Sequence, residues 1–172
     1  MEIRRAIPGD EKGISFVQVE SWRTTYKGII DDDYLYKMRA EDREDMWMNI
    51  IQKPMEKSFL YVACINQQII GFCSGGPNRS GRFPYETELY AIYLLHEYQR
   101  RSIGTSLIRH LAQTHYDFGY RTMLAWVLKD NPSKAAYEKL GGIKLGEENI
   151  QIGEQLLTEE ALGFDLVKLL QL

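Results

Sequence analysis

Seven consecutive residues, Gln99-Arg100-Arg101-Ser102-Ile103-Gly104-Thr105, have the types and order that can hold a phosphate group. The apolar run Leu89-Tyr90-Ala91-Ile92-Tyr93-Leu94-Leu95 precedes them, and Leu107, Ile108, Leu111 and Ala112 follow at helical spacing. The pattern predicts a strand, a basic turn and a helix beginning near Ser102. Such a helix leaves its first amide N–H groups without intrahelical acceptors and turns the positive end of its dipole outward, an arrangement suited to a pyrophosphate. Arg100 and Arg101 add cationic donors at the same mouth. A solvated turn carrying two surface arginines accounts for the seven residues equally well. Neither G-x-x-x-x-G-K-[ST] nor G-x-G-x-x-G occurs to decide between the two.

The elements around the turn bear on that choice. Glu86 to Leu95 reads as a strand whose far end is continuously apolar, and Thr122 to Leu128 as a second. Strand, helix and strand at these lengths predict a parallel crossover, which sets the basic turn at the carboxyl end of a strand, where open sheets bind ligands. Upstream, Ile3 to Ile7 forms a strand, and Asp10 is expected to cap a helix carrying Ile14, Val17, Val19 and Trp22 to about Tyr26. Asp31-Asp32-Asp33 opens a second helix through Leu35 and Met38, and Met46, Trp47, Ile50 and Ile51 share the face of a third. Ser58 to Ile65 and Gln68 to Ser74 make a hairpin about Asn66-Gln67, in which Cys64 pairs with Ile69 and Cys73 with Leu60; no disulfide is expected. Gly75 to Gly81 reads as a loop on composition. Ser133 to Leu140 is a short helix after Asp130-Asn131-Pro132, and Ile143 to Leu169 holds two antiparallel strands about Gly153.

Composition narrows the class. A chain of 172 residues suits a single domain over residues 1–172. With 21 Lys and Arg against 24 Asp and Glu the formal charge is −3, which argues against a nucleic-acid partner. No apolar segment approaches about 18 residues and no apolar core follows Met1-Glu2-Ile3-Arg4-Arg5, so neither membrane insertion nor export is expected and the protein reads as cytoplasmic. The two cysteines read as reduced, and His96, His110 and His115 have no partners at metal-ligand spacing, so no metal is expected.

Two separated stretches then agree. Leu94 to Thr105 resembles the acetyl-coenzyme A pyrophosphate motif of the GCN5-related N-acetyltransferase (GNAT) superfamily, written Q/R-x-x-G-x-G/A. Trp126 to Gly142 resembles its second cofactor motif, an Asn followed by a helix with a Tyr-Glu pair and a closing glycine. Ser21 to Ile30 is similar to the first helices of many bacterial members. The one departure is Ser102, where the family has the first glycine of the cradle.

The resemblance implies an α/β fold: a mixed, mostly antiparallel sheet of about seven strands with a parallel β-α-β crossover in the middle, flanked by about four helices. It also implies an N-acetyltransferase in which an amine attacks bound acetyl-CoA directly. Gln99, Arg100, Arg101, Ser102, Ile103, Gly104 and Thr105 then meet the pyrophosphate, mainly through backbone amides. Ile92, Tyr93 and Leu94 run beside the pantetheine arm, with the Leu94 N–H as oxyanion donor. Asn131 and Ser133 orient the cofactor, although turn chemistry before Pro132 explains Asn131 as well.

Tyr137 matches the family tyrosine beside the cofactor sulfur; outside the motif it reads as a packing residue. A tyrosine of pKa about 10 is a weaker acid than a thiol of about 8.5, so hydrogen-bond stabilisation of the thiolate is favoured over full protonation. Glu88, on the strand leading to this site and in phase with Glu86, is the candidate base; a salt-bridged strand residue is the plain alternative. Trp22, Tyr26, Trp47 and Trp126 are left unassigned, because aromatics at such spacing are more often core. Acidic runs at Asp31 to Asp33, Glu41 to Asp45 and Glu159-Glu160 favour a small cationic amine such as a polyamine as acceptor, with a peptide amine as the alternative. A cofactor-binding regulatory module without turnover is the rival from another class, and a homodimer is left open.

Overall fold

The computed structural model describes all 172 residues. One seven-stranded sheet has the order β1-β2-β3-β4-β5-β7-β6. Its strands are β1 (Glu2–Arg5), β2 (Phe59–Ile65), β3 (Gln68–Pro77), β4 (Thr87–Leu94), β5 (Thr122–Leu128), β6 (Ile143–Ile152) and β7 (Gln155–Asp165). Only β4 and β5 are parallel, and the helix between them, α4 (Ile103–Asp117), makes the crossover. The remaining helices are α1 (Glu11–Thr25), α2 (Asp32–Lys37), α3 (Glu41–Gln52), α5 (Lys134–Lys139) and α6 (Leu166–Gln171). The mixed, mostly antiparallel architecture is therefore the expected one, with six helices in place of about four. No helix is long and apolar enough to cross a membrane.

Alternation along the strands divides the apolar residues between two faces. On one face Leu60, Val62 and Phe72 meet Ile14 and Val17 of α1 and Trp47 of α3. On the other, Ala63, Ile70, Cys73 and Met123 meet Leu107 and Leu111 of α4 and Leu166 and Leu169 of α6. Cys64 and Cys73 fall in these separate cores, on opposite faces. A third cluster joins the end of α1 and α2 to β5, β6 and β7 through Tyr26, Leu35, Leu128, Ile150 and Leu157.

Four local expectations need correction. Asp10 stands at the start of α1 without capping it: its carboxylate takes Arg4 at 2.7 and 3.0 Å and the Ile7 amide at 2.8 Å, tying β1 to the helix instead. Cys73 pairs with Tyr61, not Leu60, because a bulge between Ala63 and Cys64 shifts the register by one. Gly75, Gly76 and Pro77 continue β3, where composition had read a loop. A Cβ at Gly75 would meet the Glu88 carbonyl oxygen at 2.6 Å, so close approach of β4, not turn formation, requires glycine there. Finally, α6 was missed because six residues carry too little periodicity to separate a helix from the end of β7.

His115 on α4 is 0% exposed, lies between Phe59 and Tyr120, and neither ring nitrogen has a partner. Burial lowers its pKa from 6.5 to about 4. Above the upper value the ring is neutral in both folded and unfolded chains. Between the two values the unfolded chain takes up a proton that the core refuses, so stability falls with falling pH, by about 3 kcal/mol across the whole window. Urea unfolding of His115→Leu should lose that share of the acid destabilisation. The same pH dependence in both proteins would remove His115 as its source.

Candidate active site

The site begins with a fault in β4. Ser74 pairs with Ala91 but Gly75 with Leu89, leaving Tyr90 as an unpaired bulge. The bulge reverses the alternation, so that Leu89 and Ile92 pack on the same face. On the opposite edge only Thr87, Glu88 and Leu89 pair with β5, through Met123, Leu124 and Ala125. Beyond these pairs the strands separate, and a cavity of about 560 Å³ opens between them. The Leu95 amide donates to the Ile70 carbonyl on β3. Strand alternation therefore turns the Ile92 and Leu94 amides toward the gap. The Gln99 side-chain amide fixes the Leu94 carbonyl at 3.2 Å.

The turn at the mouth of the gap is built from left-handed backbone. Arg100 and Ser102 have φ of 58° and 60°, a region L-residues occupy at a cost of about 1–2 kcal/mol relative to their usual conformation. Glycine bears no such cost, which accounts for the glycine that the motif has at the position of Ser102. The Ser102 carbonyl takes the first helical bond, from the Ser106 amide at 3.0 Å, and its hydroxyl does not cap the helix. No amide from Arg100 to Thr105 has an acceptor within the chain. Six successive free donors at the start of a 15-residue helix suit an anion.

Gly104 has a helical φ, and a Cβ there would find only Ile92 Cδ1, at 3.9 Å. Neither backbone strain nor packing within the chain calls for glycine at this position. The space it leaves faces outward, which fits close approach of a phosphate. Gln99, Arg100, Ser102, Ile103, Gly104 and Thr105 all line the cavity, whereas the Arg101 guanidinium lies 5.7 Å over the Tyr98 ring.

Across the gap stand Asn131, Ser133 and Tyr137. The Asn131 carboxamide does two jobs: its oxygen accepts the Ser133 amide at 2.8 Å, and its nitrogen reaches the Tyr26 hydroxyl at 3.4 Å. Tyr137 is half-buried, its ring packing on the α4-side core. Burial, with Tyr93 and Cys73 nearby, raises its phenol well above the usual 10. Burial likewise raises Tyr26 and Tyr93.

A second cavity, of about 610 Å³, lies on the α1 side and shares Tyr26, Leu89, Tyr90, Tyr93 and Trp126 with the first. Glu88 is 5% exposed in its wall. Its carboxylate takes the Arg79 amide at 2.9 Å and the Arg79 guanidinium at 2.7 Å, and that guanidinium stacks 3.7 Å above the Tyr90 ring. Glu159 of β7 lines the same cavity. Glu86, by contrast, binds the Arg121 and Thr122 amides at 2.7 and 3.2 Å and ties the start of β4 to β5.

A family model described as "Acetyltransferase (GNAT) family" matches residues 18–142, a span from within α1 through the cradle to the end of the Tyr137 helix. The chain belongs to the GNAT family. The uncharacterized N-acetyltransferase YuaI of Bacillus subtilis (strain 168) is 37% identical over 163 residues, covering 94% of this chain and 91% of YuaI. Among solved structures, the PaiA N-acetyltransferase of Thermoplasma acidophilum in complex with coenzyme A matches with a TM-score of 0.69 at 22% identity, over 92% of this chain and 96% of that one. The putative acetyltransferase yncA of Salmonella typhimurium, with its cofactor acetyl-CoA, matches with a TM-score of 0.68 at 18% identity, over 96% and 93%.

Within this GNAT chain, the residues missed by sequence reasoning are mostly those of the second cavity. Trp22, Tyr26 and Trp126 line it, while Trp47 is core, its indole donating to Gln18 at 2.9 Å. Arg79 fell in a stretch read as loop, and only its distance of nine residues from Glu88 could have flagged the pair. Two of the three acidic runs serve helices: Asp31 caps α2 by accepting the Tyr34 amide, and Glu41, Asp42 and Glu44 sit in the first turn of α3.

Proposed function

We propose that residues 1–172 act as one N-acetyltransferase domain that moves the acetyl group of acetyl-CoA to a primary amine. The observation that carries this reading is the meeting of two cavities at the Tyr90 bulge, one lined by an anion-binding turn and the other by aromatic rings and carboxylates. The Thermoplasma and Salmonella structures, which hold coenzyme A and acetyl-CoA, support the choice of donor. Bound there, acetyl-CoA supplies an activated thioester carbonyl.

The chain's own residues do the rest. Free amides from Arg101 to Thr105 hold the pyrophosphate, and the strand edge Ile92 to Leu94 aligns the arm as a further strand would. The Leu94 N–H donates to the carbonyl oxygen as negative charge develops on it. Glu88, fixed by Arg79, receives the proton released by the ammonium through a water molecule. The amine nitrogen bonds to the acetyl carbon as the carbon–sulfur bond breaks, and Tyr137 donates a hydrogen bond to the departing thiolate. The second proton shed by the nitrogen ends on the sulfur, so the products are an N-acetylated amine and free thiol.

Acetyl-CoA should raise the melting temperature, and thiol release should follow from at least one member of a broad amine panel. Binding without thiol release would assign the fold to a module without turnover, and absence of binding would overturn the reading altogether.

A further inference from the structure

We infer that the acceptor is a primary monoamine on an aromatic or otherwise apolar body, with its ammonium seated at Glu159. The inference rests on the acetyltransferase reading and adds the substrate class. Three charged side chains line the second cavity, and two of them pair: Arg79 holds both oxygens of Glu88 and covers Tyr90, so Glu88 takes a proton through water and does not itself seat the ammonium. Glu159 is different. Paired opposite Leu128 in the β5–β7 ladder, it shares the cavity face of the sheet and has neither hydrogen bond nor ion pair within the chain. Its neighbour Glu160 turns to the other face, where Lys134 and Lys144 hold it.

A half-buried carboxylate without a partner, in a cavity also lined by Trp22, Tyr26 and Trp126, is completed by a cation. Burial and the nearby Glu88 both raise the pKa of Glu159, and an arriving ammonium opposes each effect. Tyr26, Tyr90 and Tyr93 belong to both cavities, so an amine seated here borders the gap in which the thioester lies.

The rest of the acceptor must lie against Leu128, Ile150 and Ile152. These side chains adjoin Glu159, and the cavity's one other carboxylate, Glu88, is already held by Arg79, so a second ammonium, as in a polyamine, would be buried there without a free counter-charge. Two of the three acidic runs behind the polyamine expectation sit at helix starts, the third lies on β7, and of all their carboxylates only Glu159 reaches this cavity.

Thiol release at saturating acetyl-CoA, compared for 2-phenylethylamine, tryptamine, spermidine and a short peptide with a free α-amine, tests the inference. The two aromatic monoamines should exceed the others in kcat/KM by about tenfold or more. Glu159→Gln should lower kcat/KM for the aromatic amines by about 30-fold, mainly through KM, with acetyl-CoA affinity and melting temperature unchanged. Preference for spermidine or the peptide, or an unaltered KM in Glu159→Gln, would overturn it while leaving the transferase reading intact. Thiol release with none of the amines, despite acetyl-CoA binding, would instead remove the reading beneath it.

Discussion

Gly104→Val is expected to raise the dissociation constant for acetyl-CoA about 100-fold, near 2.7 kcal/mol, without loss of fold stability. The two halves of this expectation have separate causes. In the protein alone a Cβ at this position meets only Ile92 Cδ1, at an ordinary contact distance, and the backbone is helical. Valine therefore fits, and the gain in helix propensity over glycine offsets any crowding of its second methyl. With a pyrophosphate at the helix start, the same methyls stand between the phosphate oxygens and the amides of Ile103 to Thr105. Hydrogen bonds to a charged group contribute about 1.5–3 kcal/mol each, so losing one or two accounts for the factor. Arg100→Ala is the informative contrast. Its guanidinium is exposed, where water and salt screen charge, and an effect of about threefold is expected. Calorimetric titration of both variants separates a cradle made of backbone from one made of arginine charge. A wild-type dissociation constant for Gly104→Val would end the assignment of this turn to the cofactor.

That contrast also marks what the sequence could convey. The cradle and the Asn131 to Tyr137 segment are each contiguous, so their residue order alone carries the geometry: a strand end, a turn, a helix start. Ser102 became intelligible only with its φ, because no pattern of residue types tells whether a glycine is present for its backbone freedom or for the space it leaves. At Ser102 the reason is conformation; at Gly104 it is space. The second cavity was illegible for a different reason. Apart from Glu88, read as the candidate base, Trp22, Trp126, Ile150 and Glu159 come from α1, β5, β6 and β7, and each taken singly looks like core or surface. The Trp47 indole, bonded to Gln18 in the core, illustrates how reasonable that default is. The bulge at Tyr90, which reverses the faces of β4 and lets β5 diverge, leaves no mark in an apolar run that reads as uniform strand.

Tyr137→Phe should lower kcat about 100-fold, at the lower end of the range for positioned proton donors, while acetyl-CoA affinity holds. The substitution is clean because the ring packs on the core and its hydroxyl has no partner in the chain; phenylalanine keeps the packing and removes only the donor. Burial raises this phenol above its usual value, while a free thiol titrates near about 8.5. Full transfer of the tyrosine proton to the leaving sulfur is then uphill by more than the roughly 2 kcal/mol that separates the ordinary values. A shared hydrogen bond is not, and the low polarity that raises the pKa strengthens that bond. The two roles differ in their pH dependence. A proton-transferring acid poised near neutrality would make the ratio of wild-type to Tyr137→Phe rates fall as pH rises past its pKa. A phenol that keeps its proton throughout gives a constant ratio from about pH 7 to about pH 9. An unchanged kcat in Tyr137→Phe would remove the tyrosine from the reaction. A ratio falling with pH would restore it as a true acid, and would require that the bound cofactor reverse the effect of burial.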